Sequence, residues 1–130
     1  MSNSLAVVRV KESVQRDRQA LTTAVLRAGD ILALPQAQLA EVLGVSAASV
    51  SRMKAGAYLL DQNRKEWELA ALWVRVFRSL DSITGGKDEA SRAWLYSENR
   101  ALDGRPADMI RQVTGLVRVV DYLDASRGRI

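Results

Sequence analysis

An all-α fold is predicted for this chain of 130 residues, and three observations predict it. Proline occurs only at 35 and 106, alternation of β-branched residues is scarce, and apolar residues recur at spacings of three and four. After a short N-terminal stretch, Val14, Leu21, Val25 and Ala28 give a helical stripe, closed by Gly29 and Asp30. Pro35 suits the entrance to a short helix, because its fixed φ is preorganised for a first turn. Gly44 then marks a tight turn, Ser46 is a good N-cap for a second short helix, and Gly56 ends it.

A long helix is expected from about Asn63 to Ser82, with Asn63 and Glu66 spaced as a capping box. Its apolar residues wrap most of the way around, so it must be buried on more than one side. A central core helix accounts for that pattern. A sharper reading places Trp67, Trp73, Val74 and Phe77 at a homodimer interface. Thr84-Gly85-Gly86-Lys87 is a linker: it lacks the first Gly and the Ser or Thr of a phosphate-binding P-loop.

Three shorter helices fill the last third. One covers about Asp88 to Ser97, one begins at Pro106, and one runs from about Thr114 to Ala125. Val113, Leu116, Val117, Val120 and Leu123 are expected on one face of the last, and Ser126 to Arg129 as a polar, flexible end. The expected organisation is a lobe over residues 1–62, a central helix over 63–84 and a second lobe over 85–130.

Composition excludes several chemistries. The chain has neither cysteine nor histidine, which removes disulfides, Cys/His zinc sites and Ser-His or Cys-His nucleophile pairs. The acidic pairs Asp121/Asp124 and Glu66/Glu68 lack a supporting ligand set and read as solvated helix charges. Neither an enzyme nor a metal or other cofactor is expected. The longest apolar run in the middle of the chain, Leu69 to Val74, is far short of the roughly 20 residues of a membrane span. No membrane partner and a cytoplasmic location are therefore expected. Residues 1–65 hold 9 Lys or Arg against 5 Asp or Glu, whereas residues 66–130 hold 10 of each. The net charge of +4 thus lies in the first half.

That half contains Gln36 to Ala55, which reads as a DNA-binding helix-turn-helix. Ala40 is small where the two helices cross, Gly44 turns the chain, and Val50 and Met53 dock the second helix on the first. Gln36 and Gln38 would lie near phosphates. Ser46 belongs to the DNA-facing surface, and Ala47, Ala48, Ser49 and Ser51 would face base edges, with Ala47 or Ala48 available for a thymine methyl. Arg52 and Lys54 would bond guanine or neutralise phosphate. Two such units in a dimer could read two half-sites of a palindromic operator.

Further on come Trp94-Leu95, Asn99, Leu102, Gly104-Arg105-Pro106, Asp108, Gly115 and Val120…Tyr122-Leu123. This order and spacing, behind a helix-turn-helix, resembles the toxin-binding domain of the Xre/MbcA/ParS antitoxins. With the first lobe included, the resemblance covers about residues 20–130. It implies an Xre-type helix-turn-helix lobe, a long central helix and a small helical toxin-binding lobe. It also implies a type II antitoxin that silences a cognate RES-domain toxin, an ADP-ribosyltransferase-like enzyme that consumes NAD or modifies a protein. Such antitoxins also typically repress their own operon.

The resemblance assigns toxin contact to Asn99, Arg105, Arg118, Tyr122, Arg127, Gly128, Arg129 and Ile130, the last four obstructing the substrate pocket. Asn99, Trp94, Gly104 and Pro106 also have sufficient structural reasons to be where they are, in turn formation and core anchoring. Two other readings stay open. One is a stand-alone dimeric transcriptional regulator, and the other an interaction module with a vestigial helix-turn-helix.

Overall fold

The computed structural model describes residues 2–128, which form seven helices. They are α1 (Ser2–Ile31), α2 (Gln36–Leu43), α3 (Ala47–Lys54), α4 (Lys65–Thr84), α5 (Asp88–Tyr96), α6 (Pro106–Met109) and α7 (Val113–Arg127). Among the described residues, extended pairing is limited to an isolated antiparallel bridge between Asn99 and Gly104.

α4 is the axis of the molecule. It packs against α1, α2, α5 and α7, which is why its apolar residues are spread around it. Trp73 is fully buried at its centre, and the indole N–H donates to the Val25 carbonyl of α1 at 3.2 Å. That bond satisfies the one polar atom of the largest core side chain. The core continues without interruption from Val25, Leu32 and Leu43 in the first half to Leu95, Leu116 and Leu123 in the second.

Several expectations need correction. α1 begins at Ser2, so the short N-terminal stretch is helical, and Gly29 and Asp30 lie inside α1 rather than ending it. The turn comes after Ile31, where Ala33 takes φ +54° and Leu34 N–H bonds back to the Gly29 carbonyl. Gly29 is closely packed: a Cβ there would approach the Leu39 side chain at 3.3 Å.

α4 starts at Lys65 with Arg64 at the N-cap, one residue late for the capping box. Asn63 N–H bonds to Asp61 Oδ1 instead, and Glu66 reaches back to Asp61 N–H at 3.0 Å. Glu66 is not a solvated charge. It is buried, and it accepts the Tyr58 hydroxyl at 2.6 Å. Asp124 likewise pairs with Arg75 at 2.7 Å rather than sharing a site with Asp121. On α7 the buried set is Leu116, Val119, Val120 and Leu123, while Val113 and Val117 sit a turn apart on the open flank.

The second half is built around a close approach. A Cβ on Gly115 would run into the Met109 carbonyl, so only glycine lets α7 pass the end of α6. Pro106 opens α6 at its first turn, as expected. Arg127 belongs to α7 and donates to Ser79 Oγ at 3.2 Å, so the helix extends two residues past the expected end.

Candidate functional site

The unit from Gln36 to Ala55 forms two helices joined by a left-handed Gly44 at φ +70°. Ala40, Val50 and Met53 are buried at the crossing. Ser46 caps α3, accepting Ser49 N–H at 3.0 Å. The outward surface is exposed at Ser46, Ala47, Ala48, Ser51, Arg52 and Lys54. Ser49 is half-buried, and its hydroxyl accepts from Arg52 at 3.0 Å and pairs with Ser46 Oγ.

Gln36 occupies a bridging position. Its amide donates to the Ala47 carbonyl at 3.2 Å and to the Ser51 hydroxyl, stitching the start of α2 to α3. Gln36, Ser49 and Ser51 are therefore engaged within the motif as well as facing outward. Ala48 and Lys54 carry no such tie among the described contacts, and Gln38 on α2 is half-buried.

Sequence reasoning missed a second basic element. A cleft of about 460 Å³ runs from Gly44 and Ser46 to the start of α4, and Arg52, Arg64 and Lys65 stand around it. Glu66 at its inner edge is already committed to Tyr58 and Asp61. Burial and that bond push the Tyr58 hydroxyl above its usual pKa, so it stays a neutral donor. All three cations are exposed, Arg52 donating to Ser49 Oγ and Lys65 in an exposed ion pair with Glu68 at 3.5 Å, and their position around one cleft suits phosphate. The Asn-Arg-Lys run at 63–65 was the available signal.

In the second half, the segment after α5 folds into a tight loop. Asn99 exchanges backbone hydrogen bonds with Gly104 at 2.9 and 3.2 Å, and its side-chain oxygen accepts Leu102 N–H at 3.1 Å. Asp103 takes the left-handed conformation at φ +54°, which Asp tolerates better than most residues. Arg118 donates to the Leu102 carbonyl at 3.1 Å and holds the loop on α7. Arg105 grips Asp108 at 2.8 and 3.0 Å and lies 5.9 Å over the Tyr96 ring. Tyr122 stacks on Trp94 with centroids 6.2 Å apart.

Asn99, Arg105, Arg118 and Tyr122 thus surround one loop and one face of α5–α7. Arg127 and Gly128 sit at the far end of α7, beside Arg75 and Ser82. Arg129 and Ile130 lie outside the described residues.

Of the residues expected at a dimer interface, Trp73 does not fit, because it is sealed inside the protomer. Val74 is 5% exposed, while Trp67 and Phe77 are half-buried at the surface of α4.

The two halves are also clasped together. Arg92 donates to the Ile31 carbonyl at 2.9 Å. The Tyr96 hydroxyl lies 3.0 and 2.7 Å from the Leu32 and Ala33 carbonyls. A cation and a hydroxyl from α5 thereby satisfy the open carbonyls at the end of α1. Arg111 reaches Glu41 on α2, and its guanidinium holds the Glu41 carboxyl below the usual carboxylate value. Among the described residues, no helix is long and apolar enough to cross a membrane.

Two family models match this chain. Residues 12–75 match the antitoxin Xre-like helix-turn-helix domain, and residues 79–129 match the antitoxin Xre/MbcA/ParS C-terminal toxin-binding domain. A search of curated proteins finds no relative that matches the chain. The helix-turn-helix lies in the span of the first model, and the Asn99–Gly104 loop with α7 in that of the second. An antitoxin of a toxin–antitoxin system, the chain belongs to the Xre/MbcA/ParS family.

Proposed function

We propose that this antitoxin binds a RES-domain toxin and blocks its NAD-handling pocket with the C-terminal end, while a dimer of the chain represses its own operon. It acts in the cytoplasm by binding alone and takes no cofactor. The organisation proposed is a DNA-binding lobe over residues 1–62, a central helix over 63–84 and a toxin-binding lobe over 85–130.

The observation that carries this reading is the presence of two unlike exposed surfaces, on α3 and on α7, built on one core. The small and basic face of α3, with Arg52, Arg64 and Lys65 beside it, suits the phosphates and groove of DNA. The exposed flank of α7 offers Val113, Val117, Arg118 and Asp121 to a protein partner. That same helix runs to Arg127, with Gly128 as its C-cap.

A pocket shaped for the pyrophosphate of NAD carries cationic groups and a catalytic acid. Arg127 and Arg129 match the acid. Because Arg127 already holds Ser79, Arg129 is the better candidate to pair with a toxin carboxylate.

Truncation after Ser126 tests the occlusion. The shortened chain should fold and still bind the toxin, yet fail to protect growth. Full protection by the truncated chain would reject the plug.

A further inference from the structure

We propose that the toxin docks on the first two turns of α7, centred on Val113 and Val117, so that grip and pocket occlusion use opposite ends of one helix. This rests on the toxin-binding reading above and names the surface that makes the contact.

The match of residues 79–129 to a toxin-binding domain commits this half of the chain to one kind of partner, a toxin. Among the described residues of that span, the exposed large apolar side chains are Ile83, Val113 and Val117. The two valines lie one turn apart, about 40° around α7, and are 58% and 39% exposed. From Gln112 to Val117 the sequence carries no charge, and Gln112, Val113, Thr114 and Val117 are all exposed. Arg111, Arg118 and Asp121 border this stretch. An uncharged, apolar centre with a polar rim is the anatomy of a protein interface.

Folding gives no reason for these residue types. Val113, Thr114 and Val117 are β-branched, and such side chains lose rotamer freedom in a helix that Ala, Glu or Lys would not lose. Leu116, Val119, Val120 and Leu123 already supply the core side of α7. The exposed valines add nothing to it.

The patch is braced from beneath. Gly115 seats α7 close against the Met109 carbonyl, and Arg118 donates to the Leu102 carbonyl at 3.1 Å. Two residues before Val113, Arg111 holds Glu41 on α2. A surface already fixed in this way loses little entropy on docking. The same brace places a docked toxin beside the first helix of the helix-turn-helix.

Gly128 lies 15 residues beyond Val113, a helical rise of roughly 22 Å, next to Arg75 and Ser82. Ile83 follows Ser82 on α4 and belongs to that far end. Substitutions at the two ends of α7 therefore separate holding the toxin from blocking it.

Binding of the full chain to the purified product of the adjacent reading frame, followed by biolayer interferometry, tests this. Val113→Asp and Val117→Glu should each raise the dissociation constant about tenfold, since each buries a charge at the centre of the contact. Both positions are exposed, so the helical signal and melting temperature should stay at the wild-type values. Ile83→Glu, and truncation after Ser126, should each leave the dissociation constant within about threefold of wild type.

Valine variants that bind like wild type would overturn the proposal. So would a loss of binding confined to Ile83→Glu or to the truncated chain, which would put the grip at the far end of α7. A wild-type chain that captures no product would overturn the toxin-binding reading and this surface with it, whereas wild-type capture that ignores the valines overturns the surface alone.

Discussion

Arg111, in the turn between α6 and α7, holds Glu41 on α2 through two hydrogen bonds of 2.6 and 3.1 Å. The residues are 70 positions apart and belong to the two halves matched by different family models. The fork geometry of Arg on carboxylate makes this a directional joint. Its dependence on pH follows from Glu41, whose carboxyl sits below the ordinary 4.5 because Arg111 hydrogen-bonds it. The contribution is complete above the unfolded value and is lost as pH falls through the lower folded one. The melting temperature of wild type minus Glu41→Gln should therefore be constant from neutral pH to about 5 and shrink below about 4.5. A difference that grows in acid would contradict the pairing.

Tyr96 is the neutral counterpart of that joint. Removing its hydroxyl leaves the Leu32 and Ala33 carbonyls short of a donor at the end of α1. Tyr96→Phe should cost about 1 kcal/mol in urea unfolding, the usual net value of such a bond. Burial already holds the Tyr96 hydroxyl above its ordinary pKa, so the bond should persist through mildly alkaline pH.

Gly115 and Gly56 make a matched pair for substitution. Alanine at 115 would drive its Cβ into the Met109 carbonyl, whereas Gly56, at φ +76°, has open space around it. Gly115→Ala should cost about 3 kcal/mol or more and loosen the packing of α6 on α7. Gly56→Ala should cost only about 1 kcal/mol, from the backbone conformation alone. Chemical denaturation of both variants makes the comparison. Equal losses would mean that α7 can shift away from Met109.

Arg64 separates phosphate contact from base contact. It stands across the cleft from Arg52, at the start of α4. Arg64→Ala should weaken binding to operator and to unrelated DNA by similar factors, and reduce the salt slope by about 0.9. A loss confined to one base pair of the operator would show base readout instead.

Ser46 gives a local test of the motif. Its hydroxyl is the acceptor for Ser49 N–H. Ser46→Ala should lower stability by about 1 kcal/mol, and Ser46→Asp should preserve it.

Features decided by neighbouring residues were legible in the sequence. The Ser46 cap, the Gly44 turn, the Pro106 start and the Asn99 loop each follow from one residue's own conformational or hydrogen-bonding preference. Features decided by packing were not. Periodicity alone could not show that Val7, Val10 and Val14 extend α1 into solvent, since an apolar stripe normally implies a surface to cover. Glu66 looked like any helix carboxylate until Tyr58 and Asp61 were brought against it. Val117 and Val119 differ by two positions, and only the placement of α4 decides which is buried. Arg111 and Glu41 met through the tertiary fold, with no local pattern to announce them.

Co-expression of the chain with the product of the adjacent reading frame, scoring growth and the complex recovered, is the most direct measurement of what this protein does. The account predicts that the adjacent product arrests growth alone, that the antitoxin restores it, and that the two purify as a stable complex held by residues 85–130. Growth arrest that the antitoxin does not relieve, or two proteins that never purify together, would contradict it.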